Sequence, residues 1–369
     1  MPGRDAAIVF EDVSKVFADG TTAVGDLNLD VPDGKLTVFV GSSGSGKTTA
    51  LRMINRMVEP TSGAITVNGT NVAGVNPVKL RLGIGYVIQN AGLMPHQRVI
   101  DNVATVPVLR GQSRRAARQA AYEVLERVGL DPKLASRYPA QLSGGEQQRV
   151  GVARALAADP PILLMDEPFS AVDPVVRHEL QNEMLRLQSE LRKTIVFVTH
   201  DIDEALKLAD RVAVFKGGAL QQYDEPAQLL SCPANDFVAR FIGLGRGYRW
   251  LQLLDAGGLP LQHVDTCSAE DLRGNRRIDG WALIVDDAGA PVGWIDDDGL
   301  RRHHAGASLP DAMSGVGSLL RPHGNLSHAL DAVLSSPSGI GVAVDAWGKV
   351  IGGVVAPNVL AAADARRRC

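Results

Sequence analysis

Leu36-Thr37-Val38-Phe39-Val40-Gly41-Ser42-Ser43-Gly44-Ser45-Gly46-Lys47-Thr48 carries a largely apolar run straight into a loop of the form G-x4-G-K-[ST]. The run follows the turn Pro32-Asp33-Gly34 and reads as a short buried strand. Glycines let backbone N–H groups close around phosphate oxygens, and a helix starting near Gly46 adds the positive end of its dipole. Lys47 is expected to reach the β- and γ-phosphates of a nucleotide, and the Thr48 hydroxyl to ligate Mg2+. Gly41, Ser42, Ser43, Gly44, Ser45, Gly46 and Thr49 complete the expected ATP-binding stretch. A chance glycine-rich turn would not need a buried strand before it and a helix after it.

Pro161-Ile162-Leu163-Leu164-Met165-Asp166-Glu167 is a second apolar strand, ending in two carboxylates. A buried strand carries acids at its C-terminal edge, where α/β ligands bind. Asp166 is expected to orient Mg2+ through water, and Glu167 to polarise the attacking water as general base. Alone the two acids would mark a strand end equally well; beside a phosphate loop they indicate phosphoryl transfer to water. Residues 6–17 and 27–31 alternate as strands, and 113–128 reads as an amphipathic helix. Helix 143–158, strand 161–165, helix 175–192 and strand 194–199 follow. Strands alternating with helices imply an α/β fold with a parallel sheet, interrupted by a helical subdomain at about 91–158.

Leu142-Ser143-Gly144-Gly145-Glu146-Gln147-Gln148-Arg149 opens a helix. Ser143 with Glu146 three residues later makes a capping box, and a serine with two glycines at a helix N-terminus also makes an anion site. The two readings are compatible. This stretch resembles the signature of ABC transporter ATPases, in its usual place downstream of a phosphate loop and before the acidic strand. The resemblance implies roles for further residues. Phe17 resembles the aromatic that stacks on adenine, and Gln89 the glutamine that senses Mg2+ and contacts the permease. Ser170-Ala171-Val172-Asp173 resembles the loop that communicates across the dimer through Asp173, and His200 the switch histidine that contacts γ-phosphate. Taken alone, an aromatic or a histidine is more often structural. The family implies a head-to-tail dimer, with each ATP between the phosphate loop of one copy and Ser143, Gly144, Gly145 and Glu146 of the other.

Met53–Gly63, Gly85–Asn90, Gly92–His96 and Asp101–Pro107 further resemble the glycine betaine, carnitine and choline importers. In that subfamily segment 90–107 lies where a permease coupling helix docks, and exposed Leu93 and Met94 would suit such a groove; ordinary core packing of the subdomain would place them there equally well. After Asp236 glycine rises, helices are expected to be sparse, and 241–249 reads as a linker. Ala282–Gly289 then matches Gly341–Gly348 at an offset of 59, pairing Val285 with Val344, Asp286 with Asp345 and Gly289 with Gly348. Residues 250–369 therefore read as a smaller α+β regulatory domain resembling a degenerate pair of cystathionine-β-synthase-type repeats. Asp296-Asp297-Asp298-Gly299 and Ala356-Pro357-Asn358-Val359 stand where such repeats carry nucleotide-binding groups, and neither has both of them.

The 369 residues are 45% apolar and 21% charged, which suits a soluble protein of two domains, 1–240 and 250–369. A net charge of -3 speaks against nucleic-acid binding. MPGRDAAIVF has no signal-peptide core, and no run approaches the roughly 18 apolar residues of a membrane span. Cys232, Cys267 and Cys369 are too scattered to pair on a metal and suit a reducing compartment. The expected protein is thus an ATP- and Mg2+-dependent ATPase, peripheral on the cytoplasmic face of the membrane. Its expected partners are a second copy, transmembrane permease subunits and, indirectly, a solute-binding protein. An importer ATPase for an amino acid, sulfate or a polyamine is the alternative, and a non-transport ABC protein a weaker one.

Overall fold

The computed structural model describes residues 6–89, 91–170, 172–243, 245–273 and 280–366. They form two compact units, Met1–Leu229 with Pro233–Ile242, and Leu230–Cys232 with Gly243–Cys369.

Among its described residues the first unit contains ten strands: β1 (Ala6–Val16), β2 (Thr22–Pro32), β3 (Leu36–Gly41), β4 (Ser62–Val67), β5 (Thr70–Asn71), β6 (Ile84–Val87), β7 (Ile162–Asp166), β8 (Thr194–Thr199), β9 (Arg211–Lys216) and β10 (Ala219–Asp224). An antiparallel sheet runs β2-β1-β4-β5. The second sheet runs β10-β9-β3-β8-β7-β6 and is parallel except for β10. Every residue of β3, β7 and β8 is buried, as expected of parallel strands covered on both faces. From Leu27 to Val31, β2 instead alternates buried and exposed, so one face meets the core. Ile8, Phe10 and Leu27 of the antiparallel sheet pack with Phe39, Val198 and Phe215 of the parallel one, and Leu51, Met53 and Ile54 of α1 (Lys47–Ile54) join the same cluster. Each such side chain contributes about 1.5–3 kcal/mol on burial. The phosphate-loop helix is therefore anchored by its apolar face while its first turn is left free for a ligand.

The remaining helices are α2 (Pro77–Leu82), α3 (Val99–Leu109), α4 (Arg114–Arg127), α5 (Gly144–Leu156), α6 (Pro174–Leu191), α7 (Ile202–Leu208), α8 (Pro226–Ser231) and α9 (Asp236–Ile242). α3, α4 and α5 pack on one another as a helical insertion between β6 and β7. Pairings of Val40 with Thr199, Asp166 with Val198 and Val87 with Met165 bring β3, β8, β7 and β6 to an end at one edge. The loop from Gly41, the pair Asp166-Glu167, His200 and Gln89 all leave the sheet there. No helix among the described residues is long and apolar enough to cross a membrane.

The second unit holds α10 (Arg246–Leu253), β11 (Thr266–Cys267), β12 (Trp281–Val285), β13 (Pro291–Asp296), α11 (Asp297–His304), α12 (Leu309–Ala312), β14 (Leu319–Leu320), α13 (Leu326–Ser335), β15 (Gly341–Val344), β16 (Val350–Val354) and α14 (Ala356–Ala365). Its two sheets, β11-β12-β13 and β14-β15-β16, share one topology: a short parallel pair followed by an antiparallel hairpin. The hairpin turns match atom for atom. Asp286 and Asp345 each accept two backbone N–H groups on Oδ1, from Ala288 and Ala290 and from Trp347 and Lys349. Gly289 (φ 80°) and Gly348 (φ 86°) take the left-handed position of the turn. Leu283 and Trp294 of one hairpin pack with Val342 and Val344 of the other.

Two expectations fail in this part of the chain. The stretch 241–249 is not a linker: Ile242 ends α9, and α10 starts at Arg246 behind a left-handed Gly245 and buries Trp250 and Leu251. Gly245 is the N-cap of α10, and composition alone does not show that. Helices are not sparse after Asp236 either: α13 packs on β14, β15 and β16, α11 packs on β13, and α10 and α14 pack on α13. Asp296, part of the acidic cluster, caps α11 by accepting from Gly299 N at 2.8 Å. Arg367, Arg368, Cys369, Asn90 and Ala171 lie outside the described residues. Cys267 is buried, whereas Cys232 is disulfide-bonded and not the thiol expected.

Candidate active site

The phosphate loop is built by close backbone approach. Gly46 has φ 98°, and a Cβ there would lie 2.2 Å from the Ala23 carbonyl oxygen, so only glycine fits. Gly46 caps α1 without any side-chain hydrogen bond, which leaves the first N–H groups of the helix for an anion. Ser42, Ser43 and Gly44 are exposed on the crown of the loop, while Ser45 is buried beneath it. Thr49, the second residue of α1 after Lys47, is half-buried. Lys47 is buried and folds back, donating to Gly41 O (2.8 Å), Ser42 O (2.9 Å) and Ser45 Oγ (3.3 Å). Burial lowers the pKa of its ammonium, opposed by the charges of Glu167 and Asp166. Its three hydrogens are spent on loop oxygens that a phosphate would displace.

Asp166 ends β7 at 3% exposure. Its Oδ1 accepts from the Thr48 hydroxyl at 2.9 Å, and its Oδ2 meets Arg52 (3.2 Å) and the Tyr86 hydroxyl (3.4 Å). Sequence reasoning missed Arg52 and Tyr86. Arg52 was findable, since it lies one helical turn past Thr48 on the same face; Tyr86 reaches Asp166 only through β6 pairing with β7. Burial raises the Tyr86 pKa, and the Tyr86 hydrogen bond raises that of Arg52.

Glu167 has φ 45°, an uncommon backbone for an acid, held by its N–H on Val198 O at 3.0 Å. That turn aims its carboxylate at His200, whose Nδ1 lies 3.2 Å from Glu167 Oε2. Ser170 Oγ donates to Glu167 O (3.0 Å) and lies 3.4 Å from Gln89 Nε2, so Gln89, Ser170, Glu167 and His200 form one chain of contacts. Phe17 follows β1 at 43% exposure, with Lys15 Nζ over its ring 5.2 Å from the centroid.

Ser143 and Glu146 make the full capping box of α5: Ser143 N donates to Glu146 Oε2 (2.7 Å), and Glu146 N to Ser143 Oγ (3.3 Å). Gly144 has open space around it, while a Cβ on Gly145 would press Val176 at 2.7 Å. Asp173 caps α6, accepting from Val175 N and Val176 N at 3.1 Å each.

Leu93 and Met94 are half-buried rather than exposed. The cause is Asn102, fully buried, which accepts from Met94 N (2.7 Å) and donates to Met94 O (3.1 Å). A cavity of about 440 Å³ opens nearby instead, lined by polar groups such as Arg98, Asp101, Arg118 and Tyr138.

Comparison with known proteins accords with this geometry. Residues 24–170 match the ABC transporter family model. The glycine betaine/carnitine/choline transport ATP-binding protein of Bacillus subtilis is 44% identical over 307 residues, 81% of this chain and 80% of that one. The osmoprotectant import ATP-binding protein of Salmonella typhimurium is 51% identical over 255 residues, 68% of this chain and 67% of that one. A dimeric ATP-binding cassette solved in a post-hydrolysis state with ADP and Pi superposes with a TM-score of 0.55 at 31% identity, over 59% of this chain and 98% of that one. With a phosphate loop, an acidic strand end and a signature helix arranged as above, the chain belongs to the ATP-binding proteins of ABC transporters, in the branch of its osmoprotectant-import relatives.

Proposed function

We propose that two copies of this chain close head to tail on two ATP molecules and power import of quaternary-amine osmoprotectants such as glycine betaine, carnitine or choline. The observation that carries the chemistry is the convergence of Lys47, Thr48, Asp166, Glu167 and His200 at one sheet edge. In this reading the phosphate loop takes the β- and γ-phosphates, Phe17 stacks on adenine, and Ser143 with the glycines after it covers the γ-phosphate of the other copy's ATP. Glu167 accepts a proton from the attacking water, and His200 holds the γ-phosphate. Gln89 ends the chain of contacts that runs through Ser170 and Glu167 to His200, and Asp173 reports across the dimer.

The donor set suits Mg2+. The Thr48 hydroxyl and the Asp166 carboxylate are adjacent hard oxygens, and no group of three or more acids, histidines or cysteines is assembled for a metal among the described residues. Mg2+ is typically held by one or two protein oxygens, with water and phosphates completing its shell. When bound with ATP it neutralises charge on the transferring phosphoryl group. Thr48 and Asp166 would hold it, and Gln89 would contribute from the side.

Permease subunits are the proposed membrane partners, with a solute-binding protein behind them and the chain peripheral on the cytoplasmic face. The polar cavity at Arg98, Asp101 and Tyr138 is the proposed permease contact. The second unit is proposed as a regulatory pair of cystathionine-β-synthase-type repeats, on the strength of its twofold repeated sheet topology and turn chemistry. The solute is tested by reconstituting the chain with its permease in vesicles and measuring ATPase activity. Stimulation by glycine betaine, carnitine or choline supports this reading. Stimulation by an amino acid, sulfate or a polyamine instead replaces the solute and leaves the ATPase assignment standing.

A further inference from the structure

The first unit contains a buried acid that none of these steps uses. Glu204, on α7, is 6% exposed. Burial raises the pKa of its carboxyl, against hydrogen bonds from Thr199 and Gln181; the charge of Asp201 adds to the rise and that of Arg177 offsets it. Gln181 Nε2 donates to Glu204 Oε1 at 3.1 Å. The other end of that amide accepts from Lys207 Nζ at 3.0 Å, and Lys207 lies 3.2 Å from His178 Nδ1. The amide is thereby fixed in one orientation between α6 and α7.

The contacts of Glu204 lead to two functional loops. Thr199 precedes His200, and the Thr199 hydroxyl also accepts from Asp201 N at 3.0 Å, so the turn presenting His200 is tied from both sides. Arg177, one turn before Gln181 on α6, donates to Val172 O at 3.1 Å and so holds the end of the loop that leads to Asp173. Its Nε is buried without a hydrogen-bond partner among the described residues. A buried donor left unpaired is costly, and a nearby carboxylate is the natural acceptor for a guanidinium. Glu167, Ser170, Arg177, Thr199, His200 and Glu204 line one cavity of about 20 Å³. That is room for little more than a water molecule, so Glu204 and Arg177 face no ligand of their own there and sit behind the catalytic pair Glu167 and His200.

We propose that Glu204 is a positioning residue that keeps the His200 turn in register with the communication loop, acting through Thr199 on one side and Arg177 on the other. The proposal rests on His200 being the γ-phosphate contact. The test uses the full-length chain, with kcat, KM, ATP affinity and the unfolding midpoint measured for Glu204→Gln, Arg177→Gln, their double variant and His200→Ala. Expected is a kcat about tenfold lower for Glu204→Gln, with ATP affinity within about twofold, the pattern of a lost transition-state alignment. Its unfolding midpoint should stay within about 2 °C of wild type. The double variant should be no slower than the slower single one, since coupled residues are not additive. Wild-type kcat in Glu204→Gln beside an inactive His200→Ala overturns this proposal alone. An active His200→Ala overturns the reading beneath it as well. Independent multiplication of the two losses, or a kcat loss matched by an equal loss of stability, reduces Glu204 to packing. If Glu204→Gln does not fold, Arg177→Gln decides: the same selective fall in kcat is expected, and unchanged kcat refutes the link.

Discussion

Ser143 has a capping job in the fold and a proposed second one across the dimer, and one substitution removes both while another separates them. As the cap of α5 it accepts from Glu146 N, and its own N–H is held by Glu146 Oε2. Losing an N-cap side chain costs about 1 kcal/mol. In a unit of this size that lowers the unfolding midpoint by about 2–4 °C. As a signature residue its hydroxyl would donate to the γ-phosphate held by the other copy. A hydrogen bond to a charged group is worth about 1.5–3 kcal/mol, which is about ten- to a hundredfold in rate. Ser143→Ala should therefore lose both stability and turnover. Ser143→Asn keeps a good cap and loses the hydroxyl, so its midpoint should stay within about 1 °C while turnover falls as far as in the alanine variant. Differential scanning calorimetry and steady-state ATPase measurements read the two quantities separately. If Ser143→Asn hydrolyses ATP like wild type, the serine is only a cap and the trans contact is wrong.

Glu167→Gln keeps the size of the side chain and removes the base; turnover should vanish while ATP still binds and holds two copies together, as gel filtration with ATP would show. Phe17→Ala should weaken ATP binding about tenfold, since base stacking on an aromatic contributes about 1–3 kcal/mol, whereas Phe17→Tyr should bind normally in a fluorescence titration. On the proposed regulatory role of the second unit, a chain ending at Ile242, the last residue of the first unit, should keep basal ATPase activity, while any dependence of transport on internal salt in vesicles flattens. A full salt response in that truncated complex would leave the second unit a structural role.

The residues proposed to touch phosphate were legible because their chemistry is local. A loop such as Gly41–Thr48 works through the backbone freedom of its glycines, and a strand such as Ile162–Asp166 announces burial by continuous apolarity and its edge by the acids that end it. The capping box at Ser143 and Glu146 spans three residues and is complete in the sequence. The repeat at Asp286 and Asp345 was likewise visible, because each turn is closed by its own aspartate. Contacts that cross the sheet were not legible. Tyr86 and Arg52 meet on Asp166 only once β6 lies beside β7 and α1 packs against their edge, and Gln181 joins Glu204 only because α6 and α7 are neighbours. Leu93 and Met94 looked exposed until Asn102, eight residues beyond Met94, turned that loop inward. Local sequence thus determined which groups are proposed to carry the chemistry of phosphate, whereas long-range packing alone decided what holds each group in place, because a hydrogen bond between distant residues leaves no periodicity in the chain.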